Sequence, residues 1–335
     1  MKKVNLCFLG CGSITRVHSN FARTTRSRVK LLYASRSLER ARAYCKKYRG
    51  IGAFGSYREA CESPQVDAVF ICTPHAYHLE QALMAAENGK AMLIEKPITR
   101  NLDELAQIEV AVAQSGVTAM LAENYYFKPL VSTLRFHLDR GDIGKPLFVE
   151  LNHTTRSKVE GWRADAEMMG GGALLEGGVH WINLLCSIGG DITQILAAEP
   201  NIPYPKITPV EDSLELLVKF QNGSVGKMIH SWNIASHTGP FQLSKIYGTE
   251  GNIVFESNGF FAFVLGIRKR FRIPGLLDIM GYRAMLIHFL DCVTEGRSPA
   301  MSLLLARRDM ELVDAAYRSL QTNQFERPAS AAKAP

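Results

Sequence analysis

The first third of the chain alternates short, continuous apolar runs with longer stretches in which apolar residues recur at helical spacing. Val4 to Leu9, Val29 to Ala34, Ala68 to Ile71, Ala91 to Ile94 and Thr118 to Ala122 are the apolar runs. Strands buried on both faces of a parallel sheet have this pattern. Between them the periodicity predicts helices running to about Thr24, over Leu38 to Tyr48, over Tyr77 to Asn88 and over Leu102 to Ser115. Asn101 followed by Glu104 is the start signal of the last of these. Alternating strands and helices require right-handed crossovers, which predicts a doubly wound parallel sheet.

Beyond about Ala122 the pattern changes. Leu130 to Arg140 reads as a helix, Leu147 to Thr155 as a strand, and Ala173 to Ile188 as an apolar helix opened by Gly170-Gly171-Gly172. Strands then follow one another without helices between them: Ile192 to Glu199, Ser213 to Phe220, Ser224 to Trp232, Gln242 to Tyr247 and Ile253 to Glu256. Asn222-Gly223 marks a hairpin between two of them. Successive strands make an antiparallel sheet, which its own helices cover on one face only. The bare face predicts a homo-oligomer, a dimer or tetramer. Helices over Tyr282 to Glu295 and Leu303 to Gln321 complete the pattern, and a small-residue tail reads as disordered. The expected fold is α/β: a Rossmann domain over 1–123, then an α+β domain over 124–325 with a large, mostly antiparallel, open-faced sheet, then a tail over 326–335.

A length of 335 residues supports two cores better than one. Lys plus Arg number 39 against 32 Asp plus Glu, a mild and scattered excess of 7 that suits an anionic ligand. Its one concentrated run, Arg268-Lys269-Arg270 with Arg272, reads as a solvated loop or strand face; the other reading is a nucleic-acid surface. No nucleic-acid partner is expected. The seven cysteines show no paired metal spacing and leave an odd one in any disulfide scheme. Several sit in apolar runs, as reduced thiols do, which points to a reducing, cytoplasmic compartment. Val4 to Leu9 is shorter than the core of a secretion signal and is interrupted by Asn5. No stretch approaches a membrane span, so no membrane partner is expected.

Candidate chemistry gathers where strands end. Gly10-Cys11-Gly12-Ser13-Ile14-Thr15 links the first strand to the first helix, the context in which a glycine loop cradles a pyrophosphate on a helix N-terminus. Thr15 replaces the third glycine of the usual fingerprint. Ser35-Arg36-Ser37 ends the second strand where a NAD-specific domain places an acid for the ribose 2′-hydroxyl. An acid would repel a 2′-phosphate and Ser35 and Arg36 would bind it, so NADP is expected, with NAD as the alternative; Arg36 could otherwise merely begin a solvated helix. Thr73 and Pro74 end a third strand and Glu95-Lys96-Pro97 a fourth. Glu176 and His180 lie four apart on the apolar helix, which puts them on one face. A histidine exchanges protons near neutrality, and a lysine ammonium stabilises alkoxide-like charge. Oxidation of a secondary alcohol needs such a pair besides a hydride acceptor. Two metal ligands at this spacing lack an evident third, so no metal is expected.

Gly10-Cys11-Gly12, Cys72-Thr73-Pro74 with His78, Glu95-Lys96-Pro97 and Gly170-Gly171-Gly172-x-x-x-Glu176-x-x-x-His180 together resemble the Gfo/Idh/MocA family, that of glucose-fructose oxidoreductase and inositol dehydrogenase. The resemblance runs from about residue 3 to 320. It implies a nicotinamide cofactor, sugar or cyclitol substrates, Lys96 in the active site, often before a cis proline, and His180 in proton transfer. The implied cofactor-binding set is Gly10, Gly12, Ser13, Ile14, Ser35, Arg36, Thr73, Pro74, His78, Glu95 and Lys96. Ser35-Arg36-Ser37 resembles NADP-using branches related to dihydrodiol dehydrogenase. Two departures stand out: the family usually carries aspartate at the position of Glu176, and a further acid near Asn183. Asn124, Tyr125, Trp162 and Arg163 read as crevice residues for substrate hydroxyls, Trp162 equally as ordinary packing. The expected function is NADP-dependent hydride transfer to or from a sugar or cyclitol carbon. Its alternatives are a glycosidase that recycles a bound NAD(P) and a nucleotide-sensing regulator.

Overall fold

The computed structural model describes residues 3–236 and 241–329. In chain order the elements are β1 (Val4–Leu9), α1 (Ser13–Ala22), β2 (Val29–Ala34), α2 (Leu38–Tyr48), β3 (Gly52–Phe54), α3 (Tyr57–Glu62), β4 (Ala68–Ile71), α4 (His78–Glu87), β5 (Ala91–Ile94), α5 (Leu102–Ser115) and β6 (Ala119–Leu121). There follow α6 (Pro129–Asp139), β7 (Pro146–Thr154), α7 (Ala166–Met169), α8 (Val179–Gly189), β8 (Ile192–Ala198), β9 (Ser213–Phe220) and β10 (Val225–Ser231). The last are β11 (Leu243–Gly248), β12 (Gly251–Glu256), β13 (Ala262–Leu265), β14 (Lys269–Arg272), α9 (Tyr282–Glu295) and α10 (Leu303–Thr322). They fall into two compact units, Met1–Glu123 with Tyr282–Arg307, and Asn124–Gly281 with Arg308–Pro335.

The first unit holds a parallel six-stranded sheet of order β3-β2-β1-β4-β5-β6. Its apolar runs are buried on both faces, as their lack of alternation requires: Leu6, Phe8, Leu9, Leu32, Phe70, Ile71, Leu93 and Ile94 have no exposed surface. Phe8 lies between Tyr33 and Phe70, with ring centroids 5.5 and 5.2 Å away. The register pairs Phe54 with Ala34, Ala34 with Leu9, Leu9 with Ile71, Ile71 with Ile94 and Ile94 with Leu121. The strands therefore end level, and Gly10, Ser35, Cys72 and Glu95 leave the sheet along one edge. Between β1 and β4 the strand order reverses, which opens a crevice at that edge.

Three differences from the sequence analysis concern this unit. β3 and α3 were not foreseen, because a three-residue strand opened by glycine carries too little pattern. The predicted helix from Tyr77 starts instead as a 3₁₀ turn, His75–Tyr77, ahead of α4. Finally, α9, expected within 124–325, belongs to the first unit. Its Met285, Leu286, Phe289 and Leu290 are buried, it pairs Asp291 with Arg28, and Tyr282 sets its ring against His18 and Phe21. An apolar helix face says that it will be covered and not by what.

The second unit holds an eight-stranded sheet of order β14-β13-β12-β11-β7-β10-β9-β8, antiparallel except for the β7–β10 pair. Asn222-Gly223 forms the expected hairpin, with Gly223 at φ 88° and the Phe220 N–H donating to the Ser224 carbonyl at 3.0 Å. One face of the sheet is buried, and its other face exposes Phe148, Leu217, Leu243, Phe263, Leu265 and Phe271. The basic run turns out to be an edge strand, β14, where charge protects unpaired backbone from other strands. β13 and β14 were not foreseen as strands. Glu326, placed by the sequence at the start of a disordered tail, instead pairs with Ile195 through two backbone hydrogen bonds of 2.9 and 2.8 Å. Residues 330–335 of that predicted tail lie outside the described residues.

Candidate active site

On the first unit's ligand edge, Gly10 has φ +104°, and a Cβ there would stand 2.8 Å from the Cys72 carbonyl. Only glycine permits that turn and that approach of the β1 and β4 loops. Thr15 fills the place of the missing third glycine: it is buried, and its hydroxyl donates to the Gly10 carbonyl at 2.8 Å. Gly12 precedes α1, whose first turn has no side-chain cap, and the space a Cβ of Gly12 would enter is open. Ser13 is exposed and Ile14 half-buried beside it. Uncapped N–H groups with room in front of them fit a pyrophosphate.

At the end of β2, Ser35 is buried and Arg36 exposed, its guanidinium 5.7 Å from the centre of the Tyr77 ring. Burial raises the Tyr57 phenol, and the charges of Arg36 and Arg40 act against that rise. Ser37 is committed elsewhere, since its hydroxyl caps α2 by accepting from the Arg40 N–H at 3.2 Å.

Thr73 and Pro74 are half-buried after β4, and the Thr73 hydroxyl donates to Gln81 Oε1 at 3.0 Å. Gln81 is buried, and its Nε2 has no hydrogen-bond partner among the described residues. A buried amide donor left over beside the crevice fits a polar ligand. Lys96 leaves the end of β5 half-buried, and the Lys96–Pro97 bond is cis. Glu95 before it is buried and hydrogen-bonded to His18 of α1, and its Oε2 accepts from the Lys96 N–H at 3.1 Å. His78, read as a cofactor contact, is fully buried. One ring nitrogen lies 3.0 Å from the Thr73 carbonyl, the other 3.0 Å from that of Pro97. Burial holds its imidazole below the usual range. His78 thus braces the Thr73 and Pro97 segments against each other.

In the second unit the glycine triplet has steric reasons. A Cβ on Gly171 would lie 2.6 Å from the Tyr317 hydroxyl, and one on Gly172 2.1 Å from Glu211 Oε2. Glu211 Oε1 accepts from the Leu174 N–H at 2.8 Å and the Tyr317 hydroxyl at 3.0 Å, and burial pushes its carboxyl up to about 7. This clamp opens a π-helical turn, Leu174–Gly178, which replaces the start of the predicted α-helix and leads into α8. Glu176 is therefore not on an α-helical face with His180. It is buried, and its Oε1 accepts from Arg163 Nε and Nη2 at 3.0 and 2.8 Å. Arg163 lies 4.6 Å over the Trp162 ring, so these two predicted substrate residues and Glu176 form one chain.

Every residue of α8 is buried except His180. Its imidazole lies parallel to Tyr125, with centroids 4.4 Å apart, and Lys128 Nζ stands 3.8 Å from the same ring's centre. Asn124, predicted to meet substrate, is buried, and its amide donates to the Met280 carbonyl at 2.8 Å. Asn183, near which the resemblance implies a further acid, is buried and donates to Asp309 of α10 at 2.6 Å. Sequence reasoning missed Lys128, His153, Glu211 and His230. Lys128 looks like an exposed helix start, and the others sit inside strand patterns or a loop with no motif. Among the described residues no three His, Cys, Asp or Glu side chains are placed to hold a metal ion.

Residues 4–123 match the oxidoreductase family with an NAD-binding Rossmann fold, and residues 131–254 match the GFO/IDH/MocA C-terminal domain. The chain is 25% identical to scyllo-inositol 2-dehydrogenase (NAD(+)) of Bacillus subtilis, over 95% of this chain and 94% of that one. It is 27% identical to trans-1,2-dihydrobenzene-1,2-diol dehydrogenase of Xenopus tropicalis, over 86% of this chain and 88% of the relative. A solved structure of levoglucosan dehydrogenase with NADH and L-sorbose superposes with a TM-score of 0.88 at 22% identity, covering 98% of this chain and 99% of the other. Across both units, then, this chain belongs to the Gfo/Idh/MocA family of oxidoreductases.

Proposed function

We propose that the protein is an NADP-dependent oxidoreductase that moves a hydride between nicotinamide and a secondary alcohol or ketone of a sugar, sugar derivative or cyclitol. The observation that carries this reading is His180: on a helix otherwise buried, one side chain retains exposure, and that side chain is a proton carrier. The family membership supports the cofactor class, and the inositol and levoglucosan dehydrogenases among its relatives support a polyol substrate.

Gly10, Gly12, Ser13 and Ile14 would hold the pyrophosphate, and Thr73 and Pro74 with Gln81 the nicotinamide ribose. Ser35 and Arg36, with no acid beside them in Ser35-Arg36-Ser37, favour a 2′-phosphate. The bound nicotinamide supplies the hydride acceptor or donor. His180 takes the hydroxyl proton in oxidation and returns it in reduction, while the Lys96 ammonium offsets negative charge on the reacting oxygen. Arg163 fixes Glu176, and Tyr125 fixes the plane of the His180 ring; Trp162 and Arg163 complete the substrate contacts. The apolar sheet face favours a homo-oligomer, dimer or tetramer, and seven unpaired cysteines favour a reducing cytoplasm.

Titration of nucleotide-free protein with NADPH and NADH tests the cofactor, and oxidation of myo-inositol, D-glucose and levoglucosan tests the substrate class. NADPH is expected to bind more tightly, with a preference that Arg36→Ala lowers about tenfold or more, the worth of one charge-assisted hydrogen bond. Equal or tighter NADH binding would overturn the NADP assignment.

A further inference from the structure

We propose that Tyr44 is a positioning residue for the cofactor's pyrophosphate: by donating its hydroxyl to the Gly12 carbonyl, it aims and polarises the Ser13 N–H of the same peptide group. This rests on the oxidoreductase reading above and adds to it a residue from outside the glycine loop. Tyr44 lies on α2, 32 residues from Gly12 in sequence, and its hydroxyl is 3.0 Å from the Gly12 oxygen. The same oxygen accepts the first hydrogen bond of α1, from the Arg16 N–H at 3.2 Å. Both lone pairs of this carbonyl are therefore occupied.

The peptide plane makes that contact directional. A trans peptide is planar, so its oxygen and its hydrogen point opposite ways. The Gly12 oxygen points along α1 toward Arg16, and the Ser13 N–H consequently points back out of the helix start, among the donors that no side chain caps. Glycine restricts the rotation of this plane less than any other residue, so the second bond to the oxygen matters more here than at an ordinary helix start. A donor on the oxygen also strengthens the N–H of the same group, because hydrogen bonds in a chain polarise one another. An anion at the helix start gains from both effects.

Packing makes Tyr44 a rigid donor. Its half-buried ring lies 5.8 Å from that of Tyr33 and 5.7 Å from that of Tyr48, both of them buried. Tyr33, on β2, gives its own hydroxyl to Ser19 Oγ at 3.0 Å. Two tyrosines thus tie α1 to the β2–α2 segment, one at the start of the helix and one about two turns further on. Ser35 and Arg36, which take the 2′-phosphate in the reading above, lie in the chain between those two tyrosines. Through Tyr44, the segment that meets the adenosine end of the cofactor also sets the donors for its pyrophosphate.

Tyr44→Phe keeps the ring against Tyr33 and Tyr48 and removes the donor. In fluorescence titrations it is expected to bind NADPH and NADH about three- to tenfold more weakly, by the same factor for each, the worth of one neutral hydrogen bond. Adenosine 2′-monophosphate, which lacks the pyrophosphate, should bind variant and wild type equally in calorimetry, which a mere loosening of α2 would not allow. Arg36→Ala should give the complementary pattern, weakening NADPH and adenosine 2′-monophosphate and sparing NADH. In nucleotide-free protein the Ser13 amide ¹⁵N resonance should move on Tyr44→Phe. Unchanged affinity for both dinucleotides, an equal loss for adenosine 2′-monophosphate, or an unmoved Ser13 resonance would overturn the proposal and leave the cofactor reading standing. Wild-type protein that binds neither dinucleotide would overturn that reading and the proposal with it.

Discussion

The ligand edge of the first unit and the histidine cluster of the second are built from different materials. In the first, backbone does most of the work: level strand ends bring Gly10, Ser35, Cys72 and Glu95 to one line, and an uncapped helix start faces open space. In the second, side chains do it. Tyr125, His153, His230 and the continuous stretch that carries Glu176 and His180 come from separate parts of the chain, and His153 and His230 are 77 residues apart in sequence. A backbone site is a property of topology and survives much substitution, whereas a side-chain cluster depends on each rotamer and each buried partner.

The sharpest way to break this contrast is to exchange the groups that carry it. His180→Ala is expected to lower kcat by about 10²–10⁴, the usual worth of a general acid or base, while NADPH affinity stays the same. A parallel loss of nucleotide binding in equilibrium titration would show that the two regions are not separable in function.

Gly172→Ala should strike the second unit's scaffold. A methyl group there meets the Glu211 carboxylate and carbonyl at 2.1 and 2.2 Å, so Glu211, Tyr317 and the π turn must all shift. Overpacking of this kind costs about 1–3 kcal/mol, and more where backbone is displaced. A fall in the denaturant midpoint together with lost activity is expected. Gly12→Ala, by contrast, meets open space and should leave stability nearly unchanged while weakening NADPH binding.

Glu211 offers a pH test of the same scaffold. Its carboxyl titrates at about 7 in the folded protein against 4.5 as an ordinary glutamate, because burial disfavours the charged form. The folded state therefore holds more protons than the unfolded state between those values. Its contribution to stability is fully present below about 4.5 and is lost as pH rises through about 7, by up to roughly 3 kcal/mol. Glu211→Gln retains an acceptor for the Leu174 N–H and should flatten this part of the stability curve in urea melts at pH 5 to 8. An unchanged slope would place the pH dependence elsewhere.

The smallest expected effect returns to the first unit. Ser37→Ala removes the cap of α2 and should cost about 1 kcal/mol in chemical denaturation. Selectivity between NADPH and NADH should not change, because the Ser37 hydroxyl is already engaged with the helix. A loss of NADPH selectivity would make Ser37 a phosphate ligand as well.

The parallel strands and their order of appearance were legible because buried strands leave continuous apolar runs, and Gly10 and Lys96 stood out because they follow those runs directly. Most of the second sheet was legible as a succession of strands. β3 was too short to register, and the run of charge in β14 masked its pairing. The roles of individual side chains were less legible. Asn124 and His78 have the chemistry of ligand contacts, and the structure shows both side chains buried and hydrogen-bonded to backbone carbonyls, which no local pattern announces. Lys128 has the chemistry of a surface residue and is buried beneath Tyr125.

Local pattern thus determined which segments are strands and helices, where the glycine loop and the Glu95-Lys96-Pro97 segment fall, and that one sheet face would be left bare. Those properties follow from periodicity and from short-range backbone sterics, which neighbouring residues carry. Tertiary structure alone decided that α9 completes the first unit, that a π turn separates Glu176 from His180, and that His153 meets His230. Each of these depends on long-range contacts whose partners lie far away in the chain, and a side chain's hydrogen bonds, tautomer and charge are set by those partners and by burial.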